Sequence, residues 1–434
     1  MQEPNFLFLF FLTMLFLSIC LLIFYKFDVL EPGVLLPATM GFSAFMAYLN
    51  MGRWSLPFGF ESWVLLTLAI MMFQFGSLYC YIGGFIRSKN VSPFIICKYT
   101  PSLITTGFCC IIMICMAIFS FNELYELSIQ LGNTEGVANI LKVVRPAVEK
   151  QSVFLSRWMN YRQVVAQSIA SIYAYLLLSK IISSQMKLRD LFLIFPVILY
   201  VPFMIMTTGR MAMMTFGIYI FVLGTILYKI KNRYSIVSNQ KSILFLLFAG
   251  VAVIGAFLLM GYFTGKIAHE NRTVSMIIAH YAGVSLPAFD EAIHSIYTDD
   301  GFIGSSTLLG LYRILGRMGF STPHVDLFLP FVKFDGIDTN VYTAEWRYYK
   351  DFGIMGMSAI MWILGAFYTF FYNKIKYCSS SPFIAIFYSS IAFPLFLSSI
   401  DERFFIDLFG TSILYQFLLL YLCYKIVICK SATK

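Results

Sequence analysis

Eleven apolar runs of about twenty residues each divide this chain, and a run of that length is what a helix needs to cross a bilayer. They fall near 5–25, 33–51, 62–86, 100–121, 161–182, 190–208, 211–229, 242–264, 352–373, 382–400 and 408–428. Inside the hydrocarbon there is no water for backbone amides, so each run closes its own hydrogen bonds as a helix. Gly and Pro within the runs (Pro196, Pro202, Gly217, Gly250, Pro394) are compatible with this, because neighbouring helices satisfy the freed groups. Charged residues make up 12% of the chain, against about 25% in soluble domains. The expected fold is an all-α polytopic membrane protein of about eleven spans, ten to twelve allowing for the N-terminal end. It forms a single transmembrane domain, 1–434, interrupted by one large loop, 265–351, that carries short helices. The first run lacks a basic leader and a small-residue cleavage site, so it reads as a retained span.

The charges between spans are sorted by side. The loops after spans 1, 3, 5, 7 and 9, with the C-terminus, carry sixteen Lys and Arg against three acids (Asp28, Glu31, Asp190). The other side carries fifteen basic and nineteen acidic residues. The positive-inside rule places the N-terminus outside, the C-terminus in the cytoplasm and the long loop outside. Pro32, Gly33 and Pro37 leave the regularity of span 2 open. Because the net charge of +9 is spread between spans, it argues against a nucleic-acid surface. The nine cysteines lie in or beside apolar runs without CxxC or Cys/His spacing, so neither disulfides nor structural zinc are expected.

The candidate chemistry is on the outer side. Arg210 closes the seam between spans 6 and 7, where a guanidinium either snorkels to headgroups or clamps an anion. Asp401, Glu402 and Arg403 form a second tight turn, read either as a local ion pair or as a site that joins Arg210. The long loop holds all four histidines. His280 lies on an apolar helical stretch, 274–296, where packing and catalysis are both open readings; Arg272 precedes that helix, near amides that favour an anion. Arg313 and Arg317 are four apart on a short helix over 307–318 and make one basic stripe. Asn340, Tyr342, Arg347 and Asp351 cluster with Trp346 just before span 9, a mixture suited to sugar or, without its polar members, to an interfacial aromatic belt. There is no GxSxG, HExxH, P-loop or GxGxxG, no DxD in the first outer loop, and no cytoplasmic loop long enough for a nucleotide domain.

Three features together resemble the bacterial oligosaccharide repeat-unit polymerases of O-antigen and capsule assembly, the Wzy type. They are the turn Thr207-Thr208-Gly209-Arg210 opening a span, the single large outer loop late in the chain, and Asn340-Val-Tyr-Thr-Ala-Glu-Trp-Arg-Tyr-Tyr-Lys-Asp-Phe-Gly353, similar to the family's N-V-Y-T…R…DFG pattern. The family has an even number of spans with both ends in the cytoplasm, whereas this chain reads as eleven. The resemblance implies a membrane glycosyltransferase (GT-C-like) of lipopolysaccharide or capsular polysaccharide synthesis. It would join undecaprenyl-diphosphate-linked oligosaccharides on the outer face of the bacterial cytoplasmic (inner) membrane without metal or other cofactor. Its partners would be the polyprenyl-linked sugars, membrane lipid and a chain-length regulator, and no nucleic acid. Arg210 and Arg403 would hold the diphosphate, with Arg272 or Arg347 next and Arg313 and Arg317 as further anion contacts. His280, then His324, would accept the hydroxyl proton; Asn340, Tyr342, Asp351 and Asp401 would complete substrate binding.

Two other readings share the topology: a ligase that moves finished glycan to an outer acceptor, and a flippase for lipid-linked sugar. The flippase requires charge along a path through the membrane, and the span centres carry almost none. On the polymerase expectation, Arg210→Ala abolishes polymer while single-repeat product persists; normal long polymer from that variant, seen on a gel, would remove Arg210 from the clamp.

Overall fold

In the computed structural model the described residues are 5–87, 100–149, 153–207, 209, 211–246, 250, 255, 274–295, 301–323, 329–378 and 381–429. Within them the chain is almost entirely helical, an all-α bundle. Nine helical segments among the described residues are long and apolar enough to cross a membrane, which makes this a multi-pass membrane protein. The order is α1 (Phe6–Phe24), α2 (Pro32–Trp54), α3 (Phe60–Arg87), α4 (Leu103–Gln130), the short α5 (Ile140–Glu149) and α6 (Arg157–Ser183). Then come the broken pair α7 (Ile194–Leu199) and α8 (Val201–Met206), α9 (Met211–Lys231) and α10 (236–246). The long loop contributes α11 (Val274–Gly283), α12 (Ser285–Ile293), α13 (Leu309–Arg317) and a two-stranded antiparallel hairpin, β1 (Val332–Phe334) and β2 (Ile337–Thr339). The chain closes with α14 (Ala344–Asn373), α15 (Pro382–Ile391), α16 (Phe393–Leu397) and α17 (Thr411–Tyr424). Most of the expected eighth span, 242–264, lies outside the described residues.

Span 2 is a regular helix. Pro32 sits in its first turn, where a missing N–H costs nothing, and Pro37 is accommodated inside it. The expected helices of the long loop form, but Val274–Ile293 is split between Gly283 and Ser285, and the hairpin is an addition that no alternation in the sequence announced.

The most extensive packing joins α3 to α14. Apolar helices gain little from hydrophobicity against each other in lipid, so close backbone approach decides which pairs form. Gly76 and Gly365 provide it: a Cβ on Gly76 would overlap the Trp362 carbonyl, and one on Gly365 the Phe73 carbonyl. Gly353 breaks α14 with φ 63° and ψ −166°, a conformation that side chains with a Cβ rarely adopt. The break separates a buried amphipathic first segment, Ala344–Phe352, from the apolar length that follows.

One end of the bundle is held by charge. Asp28, in the turn between α1 and α2, is wholly buried. It accepts hydrogen bonds from Lys229 at the end of α9, from Lys376 just after α14 at 3.0 Å, and from the Tyr372 hydroxyl at 2.8 Å. Glu31, equally buried, lies 3.7 Å from Lys376. Both acids had read as ordinary loop residues. Two carboxylates and two ammonium groups therefore neutralise each other where four helices end. Asp28→Asn strands two buried lysines on Glu31 alone and is expected to cost about 3–5 kcal/mol, read as a lowered melting temperature in detergent. The Asp28→Asn, Lys229→Met pair costs less than the sum of its parts; a single variant as stable as wild type would refute the clamp.

Candidate functional site

At the opposite end, a cavity of about 450 Å³ opens between the N-terminal ends of α6, α9 and α17, the C-terminal end of α8, and the loop helix α13. Ligand pockets are commonly about this size. Its floor is polar: Asn160, Gln163 and Gln167 of α6 share a helix face, and Gln416 of α17 joins them. Thr207, Gly209, Met211, Thr215 and Tyr219 line the wall where α8 passes into α9. Three arginines, Arg313, Arg317 and Arg403, face the cavity, together with the carboxylate of Asp407.

The geometry of the arginines follows from local structure. Arg313 and Arg317 are one helical turn apart on α13 and so point the same way. α13 lies against the π-helical turn Phe404–Leu408 because Gly310 has no side chain: a Cβ there would stand 2.7 Å from the Phe405 carbonyl oxygen and 2.8 Å from that of Ile406. Arg317 donates to the Thr411 hydroxyl at 2.5 Å. Arg403 is held on both sides, by Asp401 at 2.9 Å and by Asp407 at 3.6 Å, its i+4 neighbour. Glu402, between them in sequence, turns inward and accepts from the backbone N–H groups of Phe405 (2.8 Å) and Ile406 (3.0 Å) and from the Tyr348 hydroxyl (2.9 Å). It thereby caps the turn that presents Arg403 and Asp407 to the cavity.

The electrostatics agree with one cluster. Burial pulls the Arg313 guanidinium below its ordinary range, Asp407 opposes this, and Arg347, Arg317 and Arg403 add to it. For Arg403, burial pulls down but Asp401, Asp407 and Glu402 outweigh it, so it stays charged. Burial pushes the Asp407 carboxyl up, against the downward pull of Arg403. Three positive groups against one carboxylate make the lining suited to an anion.

Of the residues singled out from sequence, the structure brings Arg313, Arg317 and Arg403 together at this cavity, with Asp401 bonded to Arg403. Arg210, Arg272 and His324 lie outside the described residues; the neighbours of Arg210, Gly209 and Met211, line the cavity wall. In the Asn340–Asp351 segment, Tyr342, Arg347 and Asp351 bond to the protein itself and do not line the cavity. Tyr342 is buried, stacks on Trp346 at 4.8 Å and donates to the Pro330 carbonyl at 2.7 Å. Asp351 accepts from the backbone N–H groups of Ser306 (3.4 Å) and Thr307 (2.5 Å), and Arg347 reaches the Ser306 carbonyl at 3.2 Å and Asp401 at 3.8 Å. These two side chains pin the stretch that leads into α13 and so set where Arg313 and Arg317 stand. Asn340 is half-buried at the end of β2, away from the cavity lining. His280 lies on α11, which packs against α2, with its ring stacked on Tyr281 at 5.2 Å; it does not line the cavity.

Asp407 and the amide face of α6 escaped the sequence reading. The spacing of Arg403 and Asp407, and of Asn160, Gln163 and Gln167 inside an apolar run, was the available signal. No family model matches the chain, and no curated protein or solved structure does either. Gly310→Val is expected to push α13 off the turn and weaken binding of inorganic pyrophosphate roughly tenfold, about 1.4 kcal/mol. Calorimetry showing unchanged affinity would contradict the role of that contact.

Proposed function

We propose that the protein is a glycan polymerase acting on lipid-linked oligosaccharide diphosphates, and that the cavity is its active site. The observation that carries this reading is the convergence of Arg313, Arg317 and Arg403, from two segments far apart in sequence, on one polar cavity with a single carboxylate among its described lining. The resemblance of Thr207–Arg210, the long loop and Asn340–Gly353 to repeat-unit polymerases supports it. The cavity lies at the end of the bundle that the charge distribution assigns to the outer face.

The reaction follows from the groups present. A hydroxyl oxygen at the non-reducing end of the acceptor attacks the anomeric carbon of the donor sugar. The bond between that carbon and the phosphate oxygen breaks, and its electron pair leaves with the polyprenyl diphosphate. Arg313, Arg317 and Arg403 hold the charge that grows on the leaving oxygen, which is where preorganised electrostatics lower a barrier most. Asp407 takes the hydroxyl proton. Its raised affinity for a proton makes it a better base than a solvated aspartate, while the contact with Arg403 keeps an ionised fraction available. Asn160, Gln163, Gln167 and Gln416 supply donors and acceptors for sugar hydroxyls. The donor chain is thereby moved onto the acceptor's carrier and one polyprenyl diphosphate is released.

Purified protein with lipid-linked repeat units is the test. A ladder of chain lengths means polymerase, and single transfer to an outer acceptor means ligase. Asp407→Asn is expected to lower turnover about 10²–10⁴-fold without loss of donor affinity. Arg403→Ala lowers both. The wild-type rate rises with pH as Asp407 ionises, and the Asn variant lacks that limb. Full turnover by Asp407→Asn would remove it as the base.

A further inference from the structure

Arg403 also lines a second, much smaller chamber of about 30 Å³. Glu345, Tyr348 and Tyr368 of α14 face this chamber, with Glu402 and Arg403 from the turn. α2 and α3 contribute the apolar side chains of Leu36 and Phe73, and α16 contributes Pro394 and Leu395, so no further titratable group faces it from these elements. Glu345 is 0% exposed and Glu402 1%. Glu402 is well hydrogen-bonded, as described above. By contrast, both carboxyl oxygens of Glu345, the Tyr368 hydroxyl and Nε of Arg403 are buried without a hydrogen-bond partner among the described residues. The chamber has room for about one water.

Two carboxylates cannot both be ionised in such a space at little cost. Each loses its hydration, and each repels the other. The one cation lining the chamber, Arg403, is already shared with Asp401 and Asp407. We propose that Glu345 and Glu402 form a proton-binding pair, holding one proton between them at neutral pH, and that this proton sets how strongly Arg403 grips an anion in the large cavity. The second half rests on the reading of that cavity as an anion site. Glu402 and Glu345 act here as positioning residues, since neither touches the large cavity.

The sign follows from linkage. Burial pushes the Glu402 carboxyl up to about 7, against the Phe405 and Ile406 amides and the Tyr348 hydroxyl, with Asp401 adding to the push. Below that pH the pair keeps its proton and Arg403 is free to face the large cavity. As pH rises through it, the proton leaves and a second negative charge appears in the chamber that Arg403 lines. That charge competes with the bound anion, so affinity falls, by roughly five- to tenfold for a coupling of ordinary strength.

The experiment has two readouts on the full-length protein in detergent. Infrared spectroscopy should show the carbonyl band of a protonated carboxylic acid that disappears as pH rises through neutrality. The midpoint of that band moves to lower pH in Glu402→Gln and Glu345→Gln, where the repulsion between the two carboxylates is gone, and stays in place in Asp407→Asn. Calorimetry with a soluble diphosphate diester, whose own charge does not change across the neutral range, should give affinity that falls with pH in wild type. The fall should be flattened in both glutamine variants; what remains in them belongs to Asp407, which also faces the ligand. Glu345→Gln removes no hydrogen bond, so it carries the test if Glu402→Gln does not fold. A wild-type spectrum without a titrating band, or a midpoint unchanged in Glu345→Gln, overturns the pair. A band that titrates while the diester fails to bind at any pH overturns the anion reading and leaves the pair standing.

Discussion

A charge withdrawn from water has to be answered by another charge, and both ends of this helix bundle are organised by that requirement. At one end Asp28 and Glu31 meet Lys229 and Lys376, all buried or nearly so. At the other, Arg403 stands between Asp401 and Asp407, with Arg347 drawn toward the same Asp401. The two ends differ in balance. The first closes on itself and joins α1–α2, α9 and α14. The second leaves positive charge over, because Arg313 and Arg317 enter the cavity facing one carboxylate. A neutral cluster stabilises helix ends; an unbalanced one invites an anion.

α14 connects these ends. Its C-terminal end supplies Tyr372 and leads into Lys376. Its N-terminal segment, set off by the break at Gly353, supplies Arg347 and Asp351, which hold residues 306–307 and through them α13. It also supplies Glu345 and Tyr348, which line a chamber together with Arg403. The close crossing of α3 and α14 at Gly76 and Gly365 keeps this helix in place, so the arginine cavity is positioned by backbone packing as much as by ion pairs.

Much of the fold was legible in the sequence because its signals are periodic and local. Apolar runs of membrane-spanning length have one solution in lipid, and nine of the eleven expected spans are long apolar helical segments of the described chain. The basic stripe of Arg313 and Arg317 was legible from i, i+4 spacing, and the tight turn at Arg403 from charge squeezed between two apolar runs. Residue chemistry read without neighbours leaves out what each side chain touches in the fold. Asn340, Tyr342, Arg347 and Asp351 have the composition of a sugar site, but Tyr342 spends its ring on Trp346, and Arg347 and Asp351 spend their polar atoms on the loop backbone. His280 has the right chemistry for a base but lies on a helix that packs elsewhere.

The sequence by itself determined the helical class, the spacing of the spans, the sorting of charge to two sides and the faces of individual helices, since each depends on residues within a turn or two of one another. Only the tertiary structure decided which charges meet. Asp28 finds Lys229 and Lys376 across separations of 201 and 348 residues, and Glu345, Glu402 and Arg403 share a chamber that no local pattern marks. Partner choice across such distances is set by how apolar helices pack, where a few glycines decide which backbones approach, and a one-dimensional pattern carries little trace of that choice.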